Sequence, residues 1–155
     1  TKRCSSLSNV QLFQIGLSDK TGWQTFFLSA GESLGSSSLL PPAPAMDQLH
    51  GNISFKESVN IFCTTLDDWA ETNRIEKIDF LWLDLQGVEP LVLKSSPRIL
   101  QSVQIIFTEI SLIPLYKDCI LYPDFKAWLE SEGFELIRED MPWIDGGDAL
   151  FVRKK

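Results

Sequence analysis

Twelve residues, Ile78-Asp79-Phe80-Leu81-Trp82-Leu83-Asp84-Leu85-Gln86-Gly87-Val88-Glu89, constrain the fold more than any other stretch. The apolar run lacks alternation, which predicts a strand over Ile78–Leu83 covered on both faces, as in a parallel α/β sheet. It ends in a carboxylate, a glycine and a second carboxylate. In open α/β sheets ligands bind beyond the carboxyl ends of the strands, where Asp84 falls. Gly87 there lets backbone or ligand come close.

Around this strand the chain alternates helix and strand signals. Val10–Ile15 and Trp23–Leu28 read as strands, antiparallel because the Ser18-Asp19-Lys20-Thr21-Gly22 turn between them is so short. Residues 29–57 are rich in Ser, Gly and Pro and read as a loop insertion. Ser58–Cys63 is a strand, and Thr65 caps a short helix with Leu66, Trp69 and Ala70 inward. A helix after Pro90 is interrupted at Ser95-Ser96-Pro97, and Val103–Thr108 is an apolar strand. Pro123 opens a helix that Gly133 stops. Phe134–Ile137 and Ala149–Val152 form a hairpin through an Asp145-Gly146-Gly147 turn. The pattern predicts one α/β domain over 1–155, with a single, mostly parallel sheet.

The same segments carry a family resemblance. Ile78–Leu93 is similar to the signature of FkbM-type S-adenosylmethionine-dependent methyltransferases, a strand running into Asp-x-Glu-Gly-x-Glu and a short apolar helix. Asn9–Asp19 resembles that family's third strand and the turn after it. Val59–Trp69, containing Thr65-Leu66-Asp67-Asp68, resembles its Thr-Leu-Asp-Asp helix start, and Ile105–Glu109 its next strand with a terminal Glu. The resemblance covers nearly the whole chain. It implies a Rossmann-like class-I methyltransferase sheet with a C-terminal antiparallel hairpin, S-adenosylmethionine as cofactor, and O-methylation of a small molecule or sugar. Two positions depart from the pattern: Trp82 replaces a basic residue, and Gln86 replaces a Glu, keeping hydrogen bonding but losing charge.

Candidate site residues follow from both readings. Asp84 can accept a hydrogen bond from a substrate hydroxyl or act as general base; the plainer reading is a helix cap. Glu109, ending the neighbouring strand, pairs with it as a second catalytic carboxylate, or is a solvated loop acid. Gln86, Gly87, Glu89 and Tyr116 are substrate-side candidates. Glu89 equally suits a helix first turn, and Tyr116 and Trp143 equally suit a core. Asp19 and Gly16 fall where the resemblance places the cofactor, though Asp19 also suits a plain turn. The single His50 reads as solvent-exposed.

The resemblance also exposes a gap. The family's Asp-x-Gly-x-x-x-Gly strand end and the acid for the ribose hydroxyls do not occur here. In its strand order, 3-2-1-4-5-7-6, strands 1 and 2 are then absent, leaving about 14 Å of sheet between strands 3 and 4. Strand 4 becomes an apolar edge, which a preceding segment, an inward-moving strand or a second copy would have to cover. The chain thus reads as the substrate-side part of a methyltransferase, unable alone to hold cofactor. A non-catalytic binding or scaffold module is the rival.

Composition sets the outer limits. A net charge of −7 argues against nonspecific nucleic-acid binding. Cys4, Cys63 and Cys119 form no disulfide framework and, with His50, no convincing metal set. No apolar run reaches the roughly 18 residues of a membrane span, and the expected compartment is a reducing cytoplasm.

Overall fold

The computed structural model describes residues 7–155; Cys4 and the Lys2-Arg3 pair lie outside the described residues. Those residues form a mixed α/β structure with two sheets rather than one. The first contains β1 (Gly16–Leu17), β2 (Gly22–Gly31) and β3 (Ile53–Thr64) in the order β1-β3-β2. β2 and β3 pair antiparallel from Gly22↔Cys63 to Gly31↔Ile53, and β1 adds in parallel opposite Cys63 and Thr64.

This corrects three expectations. Residues 10–15 are not a strand: β3 offers that side only its last two residues, so only Gly16 and Leu17 find a ladder. Gly16 can approach because it lacks a side chain; a Cβ there would sit 2.7 Å from Cys63 Sγ. The partner of β2 is β3, not residues 10–15. Residues 29–57 are a loop only in part: strand occupies both ends, and α1 (Pro44–Leu49) lies between, with Met46 buried.

The second sheet runs β4-β5-β7-β6, from β4 (Phe80–Leu83), β5 (Ile105–Ser111), β6 (Phe134–Asp140) and β7 (Gly146–Arg153). β4 and β5 are parallel neighbours, and β6–β7 is an antiparallel pair, as the sequence predicts. Gly146 and Gly147 lie inside β7 instead of in the turn. A Cβ on Gly147 would lie 1.9 Å from the Asp140 carbonyl oxygen, so close strand approach explains that glycine.

One face of this sheet is packed. α2 (Leu66–Thr72), α3 (Glu89–Lys94), α4 (Pro97–Ser102) and α5 (Tyr122–Ser131) set Ala70, Val92, Ile99 and Phe125 against Leu81, Leu83, Ile106 and Phe151. Thr65 Oγ1 accepts the Asp68 N–H at 3.0 Å, making the expected cap. The starts of α2 and α4 also cap each other. Ser96 Oγ accepts from Leu66 N at 3.0 Å, while the Asp67 carboxylate accepts from Arg98 N and Ile99 N at 3.0 and 2.8 Å. That exchange satisfies orphan helix donors at the break the sequence marked with Ser95-Ser96-Pro97.

The other face is open, correcting the expectation that β4 is covered on both sides. Its burial alternates, and Trp82, edge-on to Phe107, is 71% exposed. Among the described residues no strand pairs with the outer edge of β4. Neither β1 nor β2 has moved inward to cover it.

Candidate active site

The turn leaving β4 is held by a buried carboxylate. Glu89 accepts the N–H of Leu85 at 2.6 Å and of Gly87 at 2.9 Å. Burial raises its pKa, against the lowering effect of those backbone bonds; the nearby Asp84 charge adds a smaller push upward. Gln86 and Gly87 are both left-handed, at φ 55° and 95°. A Cβ on Gly87 would press to 3.2 Å from Tyr116 Cδ2, so this position needs glycine for backbone and for space. Ser38 Oγ donates to the Gln86 carbonyl at 2.7 Å and closes the turn from the first sheet's side.

So placed, the Gln86 side chain joins three candidates. Its Nε2 donates to Asp84 Oδ1 at 2.9 Å and to Glu109 Oε2 at 2.7 Å. Its Oε1 lies 2.8 Å from Tyr116 Oη, which is also 2.7 Å from the Ser36 carbonyl oxygen. The family's Glu could not donate to two carboxylates, so glutamine here suits the bridge. Asp84 and Glu109 are brought together because each directly follows one partner of the last parallel pair, Leu83↔Thr108.

Burial, then the charges of Glu89, Asp84 and Asp148, push Glu109 up to about 8; the Gln86 bond opposes this. The Tyr116 hydroxyl is raised too, by burial first and then by Glu109. For Glu109 the folded value exceeds the ordinary one of 4.5, so the folded state binds the extra proton between them. Its contribution to stability is therefore complete below the unfolded pKa and lost as pH rises through about 8. In the full-length protein, Glu109→Gln should flatten that decline. Urea midpoints measured across this pH range should converge for wild type and variant at the acid end and favour the variant at the alkaline end. Parallel curves would contradict the assignment.

Two cavities meet at this turn, and Asp84 alone among the described residues lines both. One, about 390 Å³, is bounded by Asp84, Gln86, Glu109, Tyr116, His50 and Asp145 among others. The second, about 720 Å³, is mainly apolar and lies among Ile15, Gly16, Trp23, Phe62, Leu85 and Val88.

The sequence-based candidates therefore divide. Asp84, Gln86, Glu109, Tyr116 and the exposed Trp143 meet at the smaller cavity. Gly16 lines the larger one. Asp19 lines neither; its exposed carboxylate accepts the Ser18 hydroxyl proton. Gly87 and Glu89 build the turn without lining either cavity. Asp84 caps no helix: the residue before α3 is Val88, without a side-chain cap. Glu109 lies two residues inside β5 rather than at its end, and is half-buried rather than a solvated loop acid.

His50 corrects its expectation most. It is half-buried, with Nε2 2.6 Å from Asp145 Oδ2, and both side chains line the smaller cavity. Ninety-five positions separate the pair, so no local pattern marks it. The one available signal was the chain's single histidine.

The turn after β4 thus sets two acidic side chains, Asp84 and Glu109, beside two cavities of a mixed α/β fold. The chain belongs to the FkbM methyltransferase family: the family model described as Methyltransferase FkbM domain matches residues 2–136. It is also 28% identical over 154 residues to the 2-O-methyltransferase NoeI of Sinorhizobium fredii (strain NBRC 101917 / NGR234). That match covers 96% of this chain and 62% of the relative, so the chain spans less than two thirds of that protein's length. No solved structure matches it significantly. Among the described residues no helix is long and apolar enough to cross a membrane.

Proposed function

We propose that this chain is the acceptor-side part of a Rossmann-like, class-I methyltransferase domain that transfers a methyl group to an oxygen of a small molecule or sugar. The observation carrying this reading is Asp84, shared by two cavities and bridged to Glu109 by Gln86. The order β4-β5-β7-β6 agrees with the 4-5-7-6 run of the class-I sheet. An oxygen acceptor accords with the 2-O-methyltransferase relative. The scaffold alternative is not favoured, because family and relative are both methyltransferases.

Asp84 and Glu109, with Gln86 and Tyr116 setting their positions, accept hydrogen bonds from the acceptor's hydroxyls and align the oxygen to be methylated. Methyl transfer is an in-line displacement, so alignment is most of what a protein can contribute. The polar wall of the smaller cavity suits such a hydroxylated acceptor.

S-adenosylmethionine is the methyl donor this family implies, and the residues present do not by themselves fit it. The larger cavity is mainly apolar, and among the described residues Asp84 is its one ionisable lining residue, with Gln14, Ser37 and Asn60 as its neutral polar ones and no Lys or Arg to pair with a carboxylate. Asp19 stands outside it. The free edge of β4 is where a further segment of the full-length protein, or a second copy, would add the missing wall.

Calorimetry tests this reading. Residues 1–155 titrated with S-adenosylmethionine should give no saturable heat, whereas the full-length protein should bind it. Saturable binding by a monomer of 1–155 would overturn the partial-site reading. A full-length protein that binds no cofactor and methylates nothing would overturn the methyltransferase reading itself.

A further inference from the structure

We infer that Trp143 is a stacking platform at the smaller cavity and that the ring laid on it is an uncharged pyranose. This rests on the methyltransferase reading above and narrows its acceptor to a neutral sugar.

Trp143 stands apart from the chain's other four tryptophans. Trp23, Trp69, Trp82 and Trp128 each meet a second aromatic ring, those of Phe62, Phe13, Phe107 and Phe125 in turn. Trp143 has no such partner among the described residues, is 57% exposed and lines the smaller cavity. A single exposed tryptophan is ordinary on a protein surface. On the wall of a cavity it keeps a large apolar area free for a ligand to cover.

The segment carrying it is held in place. Residues 141–145 join β6 to β7, and two positions after Trp143 the chain is fixed twice. The Asp145 carbonyl accepts the Leu112 N–H at 2.7 Å, and the Asp145 carboxylate lies 2.6 Å from His50 Nε2. β7 then begins at Gly146, where a Cβ would come 2.2 Å from the Ile110 carbonyl oxygen, so the strand is pressed against β5. A side chain on so short and anchored a segment loses little freedom when a ligand covers it.

The rest of the wall decides which kind of ring fits. A planar aromatic acceptor asks for apolar contact around it, whereas Ser36, Asp84, Gln86, Glu109 and Ser111 also line this cavity. A pyranose meets both demands. Its axial C–H bonds make an apolar, slightly electropositive face that suits the electron-rich face of an indole. Its hydroxyls project sideways and pair with carboxyl, amide and hydroxyl groups. Charge excludes the acidic sugars. Among the described residues no Lys or Arg lines the cavity, so a carboxylate or phosphate on the ring would meet acids and no cation. At about 390 Å³ the space suits one ring better than an oligosaccharide.

The test is binding to the full-length protein, followed by saturation-transfer NMR and calorimetry with and without S-adenosylhomocysteine. The probes are methyl glycosides of glucose, galactose, mannose and rhamnose, with methyl glucuronide as the acidic sugar and catechol as the flat ring. At least one neutral glycoside should bind, the C–H protons of one ring face receiving most of the saturation. Trp143→Ala should weaken it about tenfold or more, and Trp143→Phe should recover part of the loss. Ile144, the more exposed neighbour, lines neither cavity, and Ile144→Ala should stay within about twofold of wild type. Unfolding midpoints of all three variants should match wild type, because no packed side chain is removed. A wild type that binds none of the neutral glycosides overturns the inference, as does glucuronide or catechol bound more tightly than they are. Trp143→Ala within about threefold of wild type, or an equal loss from Ile144→Ala, overturns it as well. Each of these strikes the sugar platform alone where the full-length protein still binds S-adenosylmethionine. A protein that binds no cofactor and methylates nothing removes the methyltransferase reading beneath it.

Discussion

Replacing Asp84 by Asn lowers kcat/KM of the full-length protein by about 10²–10³-fold, while the unfolding midpoint stays nearly unchanged. Asn retains the shape and can still accept the Gln86 N–H, so the substitution removes charge with little disturbance of the turn. The magnitude follows from alignment: an acceptor oxygen released from a strong, charged hydrogen bond is misplaced, and small misplacements cost about 10²-fold. Stability is spared because Asp84 is exposed and caps no helix. Steady-state kinetics with parallel urea unfolding separate the two readouts. Activity within threefold of wild type would remove Asp84 from the site. A large fall in stability would instead make it a structural residue of the turn.

Phe151→Ala destabilises the full-length protein by about 3–5 kcal/mol, the cost of removing a fully enclosed phenyl ring and leaving a cavity. Phe151 is 0% exposed and sits in the inner strand β7, opposite Ile106 on one side and Leu136 on the other. Its neighbours therefore belong to three strands and cannot collapse inward without breaking two ladders. The urea midpoint should fall while the slope of the transition is kept, since the surface exposed on unfolding barely changes. A loss below about 1 kcal/mol would mean that the helix layer closes over the gap.

The legible parts of this fold were those set by short-range physics. Thr65 announced its cap, Ser95-Ser96-Pro97 its helix break and Pro123 a helix start, because each acts within a turn of itself. β4 and β5 were legible from apolar runs, and so was their parallel pairing. The run Ile78–Leu83 suggested two covered faces, yet Phe80 and Trp82 are exposed, since composition reports what a strand tolerates and not what lies over it. Residues 10–15 have strand character without a ladder, and pairing is a property of two segments. Charged Lys56 and Glu57 hid the length of β3, which is solvent-exposed at those positions.

Asp84 and Glu109 drew attention because strand ends concentrate ligands, although Glu109 lies two residues inside β5. Their coupling through Gln86 needed the left-handed backbone at that residue, which sequence does not display. Glu89 drew attention as an acid, and its neighbours turned it into a backbone clamp. His50 and Asp145 come from different sheets' loops, so only the folded chain brings them together.

Among the described residues, three that line the smaller cavity, Met46, Ile110 and Tyr116, are also buried core side chains. Ile53, Glu109, Ser111, Gly146 and Gly147 of that wall belong to strands, while Ser33, Gly35, Leu115 and Trp143 come from the segments between them. Inheritance can therefore treat the two separately. Changes at Ser33, Gly35, Leu115 and Trp143 can reshape this cavity at little cost to folding, while the strands and helices beneath stay under packing constraint. Chains with the same scaffold are thus free to diverge at this rim, and the shape of this cavity is the trait the architecture leaves easiest to evolve.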